Sequence, residues 1–183
     1  IPAREREAEW LQQTAAGDRA AFERLYTTYH RRLCGYLFRM VGSREAVDEL
    51  VSDVMLDVWK GAGRFRGSSQ VSTWIFGIAR HKALSFLRRG KPVTVEIDEA
   101  MQIPSGGQLP DEALADIDTS AAINRALAKL TEQHREVLDL TFYQGFSCSE
   151  IAEILQCPLN TVKTRLFYAR KQMKEFLAGG VTI

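Results

Sequence analysis

The sequence predicts an all-α protein made of two small helical domains joined by a flexible acidic linker, and three observations predict it. Apolar residues recur at three- and four-residue spacing along most of the chain, the pattern of amphipathic helices. The strand-like run Val93-Thr94-Val95-Glu96-Ile97 falls in a stretch of roughly 25 residues that holds Pro92, Pro104, Pro110 and Ser105-Gly106-Gly107, too long for a loop inside one compact domain. Charge divides at the same places. Residues 1–59 hold eight bases and ten acids, 60–91 eight bases and no acid, 92–119 seven acids and no base, and 120–183 eight bases and six acids. Two cationic blocks on either side of an acidic one predict two polyanion-binding surfaces.

At 183 residues, with 45% apolar and 26% charged side chains, the chain is long enough for two small cores and too apolar to be disordered. No run approaches the ~18 apolar residues of a membrane span. Ile1-Pro2-Ala3-Arg4 shows no apolar run behind a basic start, so a cytoplasmic protein without a retained secretory signal is expected. Cys34, Cys148 and Cys157 form no C-x-x-C pair and suit reduced thiols, with no metal and no cofactor expected. Cys34 falls on an apolar stripe and reads as packing.

In chain order, Asp18 is placed to cap a long helix whose stripe is Phe22, Leu25, Tyr26, Tyr29, Leu33, Tyr36, Leu37 and Met40, ending at Gly42. A second helix over 44–60 buries Val47, Leu50, Val51, Val54 and Val58. Its opposite side carries Glu49, Ser52, Asp53, Leu56 and Trp59, and large apolar groups beside carboxylates predict a protein-docking face. A third helix, 71–89, turns Ile75, Phe76, Ala79, Ala83, Phe86 and Leu87 inward and Trp74, His81, Ser85 and Arg88 elsewhere, flanked by Arg80 and Arg89. Ahead of it, Gly63-Arg64-Phe65-Arg66-Gly67-Ser68-Ser69-Gln70 combines cations with an aromatic on a loop, a composition suited to backbone phosphates and unstacked bases.

Beyond the linker, one helix spans 120–130, Thr131 caps another reaching Tyr143, and Ser147 with Glu150 forms a capping box for 148–155. Gln156-Cys157-Pro158 makes a tight turn, with Pro158 suited to the first position of the last helix. There Val162, Leu166, Ala169, Met173, Phe176 and Leu177 face inward. Asn160, Thr164, Phe167 and Lys171 face out, flanked by Lys163, Tyr168 and Lys174. A short helix, a tight turn and a helix with a polar, basic outer face read as a helix-turn-helix. No nucleotide-binding, nucleophile-elbow or zinc-protease motif is present, and His30, His81 and His134 are scattered, so an enzyme is not expected.

Two segments carry a resemblance. The first is Asp48-Glu49-Leu50-Val51-Ser52-Asp53-Val54-Met55-Leu56-Asp57-Val58-Trp59, then Phe65-Arg66-Gly67, then Ser72-Thr73-Trp74-Ile75-Phe76-Gly77-Ile78-Ala79-Arg80-His81 onward to Arg89. The second runs from Leu130 through His134-Arg135-Glu136-Val137-Leu138 to Phe146-Ser147-Cys148-Ser149-Glu150-Ile151 and Thr161-Val162-Lys163-Thr164-Arg165-Leu166-Phe167-Tyr168. Together, in this order, they resemble the sigma factors of bacterial RNA polymerase, specifically the small extracytoplasmic-function (ECF) group of the sigma-70 family. Ser52, His81 and Asn160 depart from the Gln, Asn and Gly more common in the group.

The resemblance implies an initiation subunit with a sigma region 2 domain (1–91), an acidic linker (92–118) and a sigma region 4 helix-turn-helix domain (119–183). It implies core polymerase as partner, through the beta-prime clamp helices and the beta flap, and promoter DNA. Asp48, Glu49, Ser52, Asp53, Leu56 and Trp59 would meet the polymerase. Phe65, Arg66, Ser72, Trp74, Arg80, His81, Ser85, Arg88 and Arg89 would recognise and melt the minus-ten element. Asn160, Thr161, Lys163, Thr164, Arg165, Phe167, Tyr168 and Lys171 would read the minus-thirty-five element. Such chains are commonly held by an anti-sigma factor, and two exposed surfaces on a long linker suit a partner that covers both. The competing reading is a helix-turn-helix regulator acting without core polymerase; a helical nuclease is the enzyme-class alternative.

Overall fold

A computed structural model describes residues 3–90 and 116–179, and every regular element among them is helical. The strand-like run at 93–97 and most of the linker lie outside the described residues. The chain divides into two compact units, the first built on the helices of 3–90 and including Glu153–Gln156, the second on the remaining helical residues of 116–179.

In the first unit, α1 spans Ala3–Ala15, α2 Arg19–Val41, α3 Arg44–Gly61 and α4 Val71–Arg88, with a 3-10 turn at Ala62–Arg64. The Asp18 carboxylate accepts from the amides of Ala20 and Ala21 at 2.8 and 3.2 Å, satisfying two of the orphan donors of α2. Gly42 closes the same helix at φ 67°, a left-handed conformation that glycine adopts without a Cβ penalty. Ser43 then caps α3. The core takes Leu25, Tyr29, Leu33, Tyr36 and Leu37 from α2, the expected valines and Leu50 from α3, and Ile75, Phe76, Ala79 and Ala83 from α4. Phe22, Tyr26, Met40 and Leu87 lie at its margin, half-buried.

α1 is a helix that the apolar pattern did not announce. It buries Leu11 and turns the Glu7 carboxylate onto the buried Tyr29 hydroxyl, which donates to it at 2.7 Å. Cys34 is half-buried at the edge of α2, its Sγ 3.8 and 3.9 Å from the ring nitrogens of His30. Burial, and then the Asp48 carboxylate, push that thiol's pKa up, away from reactive thiolate.

In the second unit, α5 spans Asp116–Ala128 and α6 Glu132–Leu138, which runs into one π turn at Asp139–Tyr143. α7 spans Cys148–Leu155 and α8 Leu159–Gly179. Arg135 reaches back from α6 to the carbonyls of Leu127, Ala128 and Leu130, collecting acceptors that the end of α5 leaves open. Thr131 caps α6 through the His134 amide, and His134 Nδ1 lies 2.9 Å from Gln172 Oε1 on α8. The capping box forms in both directions: the Ser147 amide donates to Glu150 Oε2 at 2.8 Å and the Glu150 amide to Ser147 Oγ at 3.3 Å.

The tight turn depends on Gln156 at φ 52°, left-handed without being glycine. Pro158 precedes α8 instead of standing at its first helical position, and its carbonyl accepts from Thr161 and Val162. Val162, Leu166 and Ala169 of α8 are buried, as are Ile151, Ile154 and Leu155 of α7. The inward stripe of α8 fades beyond that point: Met173 and Phe176 are half-buried and Leu177 is 37% exposed.

Candidate partner and nucleic-acid interfaces

The outer side of α3 presents Asp48, Glu49, Ser52 and Leu56 to solvent, with Asp53 half-buried beside them. Leu56 is 47% exposed, a large apolar group ringed by carboxylates. Trp59 differs from the expectation of a fully free side chain. Its ring meets Phe22 of α2 edge-to-face at 5.1 Å, so it is half-buried and held in place.

The second surface joins the loop after α3 to α4. Phe65 and Trp74 pack with ring centroids 5.2 Å apart. The Trp74 indole lies over Gly61 so closely that a Cβ there would stand 3.1 Å from Cζ2. Asp57, Lys60, Gly61, Arg64, Trp74 and Ile78 line an open pocket of about 340 Å³. Its lining combines the Trp74 ring with two cations, Lys60 and Arg64, and one carboxylate, Asp57. Lys82 crosses from α4 to Asp57 of α3 at 2.9 Å, fixing the two helices that carry the pocket.

Of the other predicted groups, Arg66, His81, Arg88 and Arg89 are exposed and Arg80 is half-buried. Arg88 folds back along its helix toward Ser85 Oγ and the Leu84 carbonyl, both at 3.3 Å. Ser72 is not on this surface in the way the others are: its side chain hydrogen-bonds inward to the Tyr29 hydroxyl. The structure thus brings Phe65 onto Trp74, and Trp74 beside Arg64 of the predicted loop and beside Asp57, Lys60 and Ile78, which the sequence pattern did not single out as site residues.

On α8, Asn160, Lys163, Thr164, Phe167, Tyr168 and Lys171 are exposed, while Thr161 and Arg165 are half-buried. Phe167 is 65% and Tyr168 49% exposed, their rings edge-to-face at 5.4 Å. These two aromatics are thus kept in water among cations on the outer side of the helix that follows the tight turn. A separate apolar groove of about 640 Å³ lies among Leu127, Leu138, Phe142, Met173 and Leu177 of the same unit. Arg170 sits 5.5 Å over the Phe142 ring at its edge.

Residues 25–92 match the family model described as Sigma-70 region 2, and residues 120–173 match that described as Sigma-70, region 4. The chain is 31% identical over 172 residues to the ECF RNA polymerase sigma factor SigM of Mycobacterium tuberculosis, covering 93% of this chain and 84% of that one. This chain belongs to the ECF group of RNA polymerase sigma factors. It is also 34% identical over 160 residues to the RNA polymerase sigma factor YlaC of Bacillus subtilis, covering 86% and 92% of the two chains. Among solved structures it is similar to the sigma factor RpoE of Bartonella quintana, determined in complex with the anti-sigma factor NepR, with TM-score 0.63, 25% identity and coverage of 86% and 96%.

Within this sigma factor, region 2 contains α3, the loop and α4, whereas α1 lies before the matched stretch. Region 4 contains the helix-turn-helix and most of α8. Among the described residues no group of three or more His, Cys, Asp or Glu side chains is placed to hold a metal ion, and no helix is long and apolar enough to cross a membrane.

Proposed function

We propose that this sigma factor docks on core RNA polymerase through the Leu56 face of α3, captures and opens the minus-ten element with Phe65 and the Trp74 pocket, and reads the minus-thirty-five element with α8. The observation that carries this reading is the pocket itself: the Trp74 ring held against Gly61 and rimmed by Lys60 and Arg64, with the one lining carboxylate, Asp57, paired to Lys82. A folded unit that exposes an unstacking wall and cations beside a partner-docking helix suits promoter melting within a larger enzyme. The chain itself performs no chemistry in this scheme. Residues 1–91 serve as the region 2 domain, 92–118 as the linker and 119–183 as the region 4 domain. The apolar groove at Phe142 suits an amphipathic segment of the polymerase beta flap, and an anti-sigma factor covering these surfaces would withhold the chain from polymerase.

Transcription of a genomic fragment pool by core polymerase with and without the full chain, followed by start-site mapping, tests the reading. New starts that share two spaced elements are expected. Tight binding of duplex promoter by the chain alone, without new starts, would instead make it a regulator that works without core polymerase.

A division of labour is expected along α8. Lys171 and Lys163 are point charges suited to phosphates, whereas Asn160 and Thr164 can hydrogen-bond base edges. Lys171→Ala should weaken binding to every promoter variant alike and reduce the salt slope by about 1. Thr164→Ala should change the ranking of minus-thirty-five variants, by about 1–3 kcal/mol at the affected base pair. Binding of the holoenzyme to a panel of single-base variants at several salt concentrations separates the two, and indistinguishable profiles would refute the assignment.

A further inference from the structure

The N-terminal helix α1 precedes the stretch matched to region 2, yet it touches both ends of the loop that carries Phe65 and Arg66. At the loop's entrance, α1 packs on the 3-10 turn, where the Ala15 Cβ is 4.0 Å from the position a Cβ would take at Gly63. Leu11, only 1% exposed, fastens the helix to the domain core. At the loop's exit, the Glu7 carboxylate accepts from the fully buried Tyr29 hydroxyl at 2.7 Å, and the Ser72 side chain, in the first turn of α4, hydrogen-bonds to that same hydroxyl. A phenol that gives its one proton to Glu7 can only accept from Ser72, so the three side chains form a directional relay from α1 through α2 to α4. Burial, and then the neighbouring Glu7 charge, hold the Tyr29 pKa well above the usual phenol range, so the relay keeps its proton throughout the working pH range.

We propose that α1 is a brace for the promoter-opening loop, and that Glu7 is a positioning residue that sets the start of α4 through Tyr29 and Ser72. The proposal rests on the assignment of the loop and α4 to melting. Without the Glu7 acceptor, the Tyr29 proton is left buried with no partner, and the tyrosine rotates to find one. Ser72 then loses the orientation of its acceptor, and the first turn of α4, with Trp74 on it, loses its register against Gly61. The surface on α3 that would meet the polymerase is remote from this relay in the sequence and shares none of its members.

The test uses holoenzyme assembled from core polymerase and the full chain, on a promoter found by the start-site mapping above, with permanganate reactivity of unpaired thymines as the readout. Glu7→Ala and Tyr29→Phe should each reduce open-complex formation by about tenfold, the loss expected for a buried hydrogen bond to a charged group. Core affinity should stay at the wild-type value. Glu7→Gln should open DNA within about twofold of wild type, because its amide oxygen still accepts the tyrosine proton; a helix that merely added stability would show no such rescue pattern. Tyr29→Phe removes one oxygen and keeps the ring in the core, so it reports on the relay where Glu7→Ala fails to fold. Wild-type opening by both Glu7→Ala and Tyr29→Phe, a Gln variant as poor as the Ala variant, or a parallel loss of core affinity would each overturn the brace. Trp74→Ala is the control: normal opening by that variant would sink the melting assignment and the brace with it, whereas a defect there with normal Glu7→Ala opening sinks the brace alone.

Discussion

Leu56→Asp is expected to weaken association with core RNA polymerase by about 2–4 kcal/mol, roughly 30- to 1,000-fold in Kd, as loss of a central apolar anchor does at other interfaces. The side chain is 47% exposed in the free chain and is not among the buried core residues, so little packing is lost with it. The cost to the helix is about 0.5 kcal/mol of propensity, too little to unfold a domain. An added carboxylate beside Glu49, Ser52 and Asp53 would bury an uncompensated charge in the complex, which compounds the lost contact. Competition between the variant and labelled wild type for core polymerase measures the difference. A folded Leu56→Asp chain that competes equally would remove α3 from the polymerase interface.

Phe76→Ala should destabilise the first unit by about 3–5 kcal/mol, the usual cost of deleting a buried phenylalanine. Phe76 is fully buried, its ring 5.2 Å from Tyr36 and 5.1 Å from the Arg32 guanidinium, so the cavity would open where side chains of α2 and α4 meet. Against a typical total of about 5–15 kcal/mol for a domain, that loss leaves α4 poorly held. The chain's own fluorophores isolate the effect. Trp10, Trp59 and Trp74 all lie in the first unit and none in the second. Denaturant unfolding followed by tryptophan emission therefore reads this unit alone. An unchanged midpoint would mean that the α2–α4 contact is not where the unit's stability resides.

Much of the local architecture was legible because it depends on nearest neighbours in the chain. Asp18, Thr131 and the Ser147–Glu150 pair cap their helices through contacts two to three residues away, and such contacts are visible in the order of residues. The valine stripe of α3 and the apolar side of α4 follow from helical periodicity in the same way. α1 escaped because Trp10 and Leu11 are too few to mark a stripe among its charged residues; its anchoring group is Glu7, whose partner lies 22 residues away on α2.

The candidate sites divide along the same line. The Leu56 face and the outward residues of α8 were readable as the sides left over when a helix buries its apolar stripe. Trp59 belonged to that leftover side, yet half of it is taken up by Phe22, a contact between helices that periodicity does not record. Ser72, expected to meet DNA, is half-buried and hydrogen-bonds to the Tyr29 hydroxyl, a partner 43 residues away that periodicity does not record. Met55, on no predicted stripe, is 2% exposed because neighbours cover a broader arc of α3 than its valines mark.

The order of amino acids by itself therefore determined, α1 apart, which segments are helical and about where those helices lie, where an acidic stretch separates two cationic regions, and which group of proteins the chain resembles. Each of these is set by contacts a few residues apart or by composition along a segment. Only the tertiary structure decided that Trp74 closes on Gly61 to make a pocket, that Asp57 and Lys82 tie its two helices together, and that α1 reaches both ends of the loop. Those arrangements need the relative placement of helices far apart in sequence. A helix's apolar period states that one face must be covered, while the shape and spacing of the covering side chains state by what.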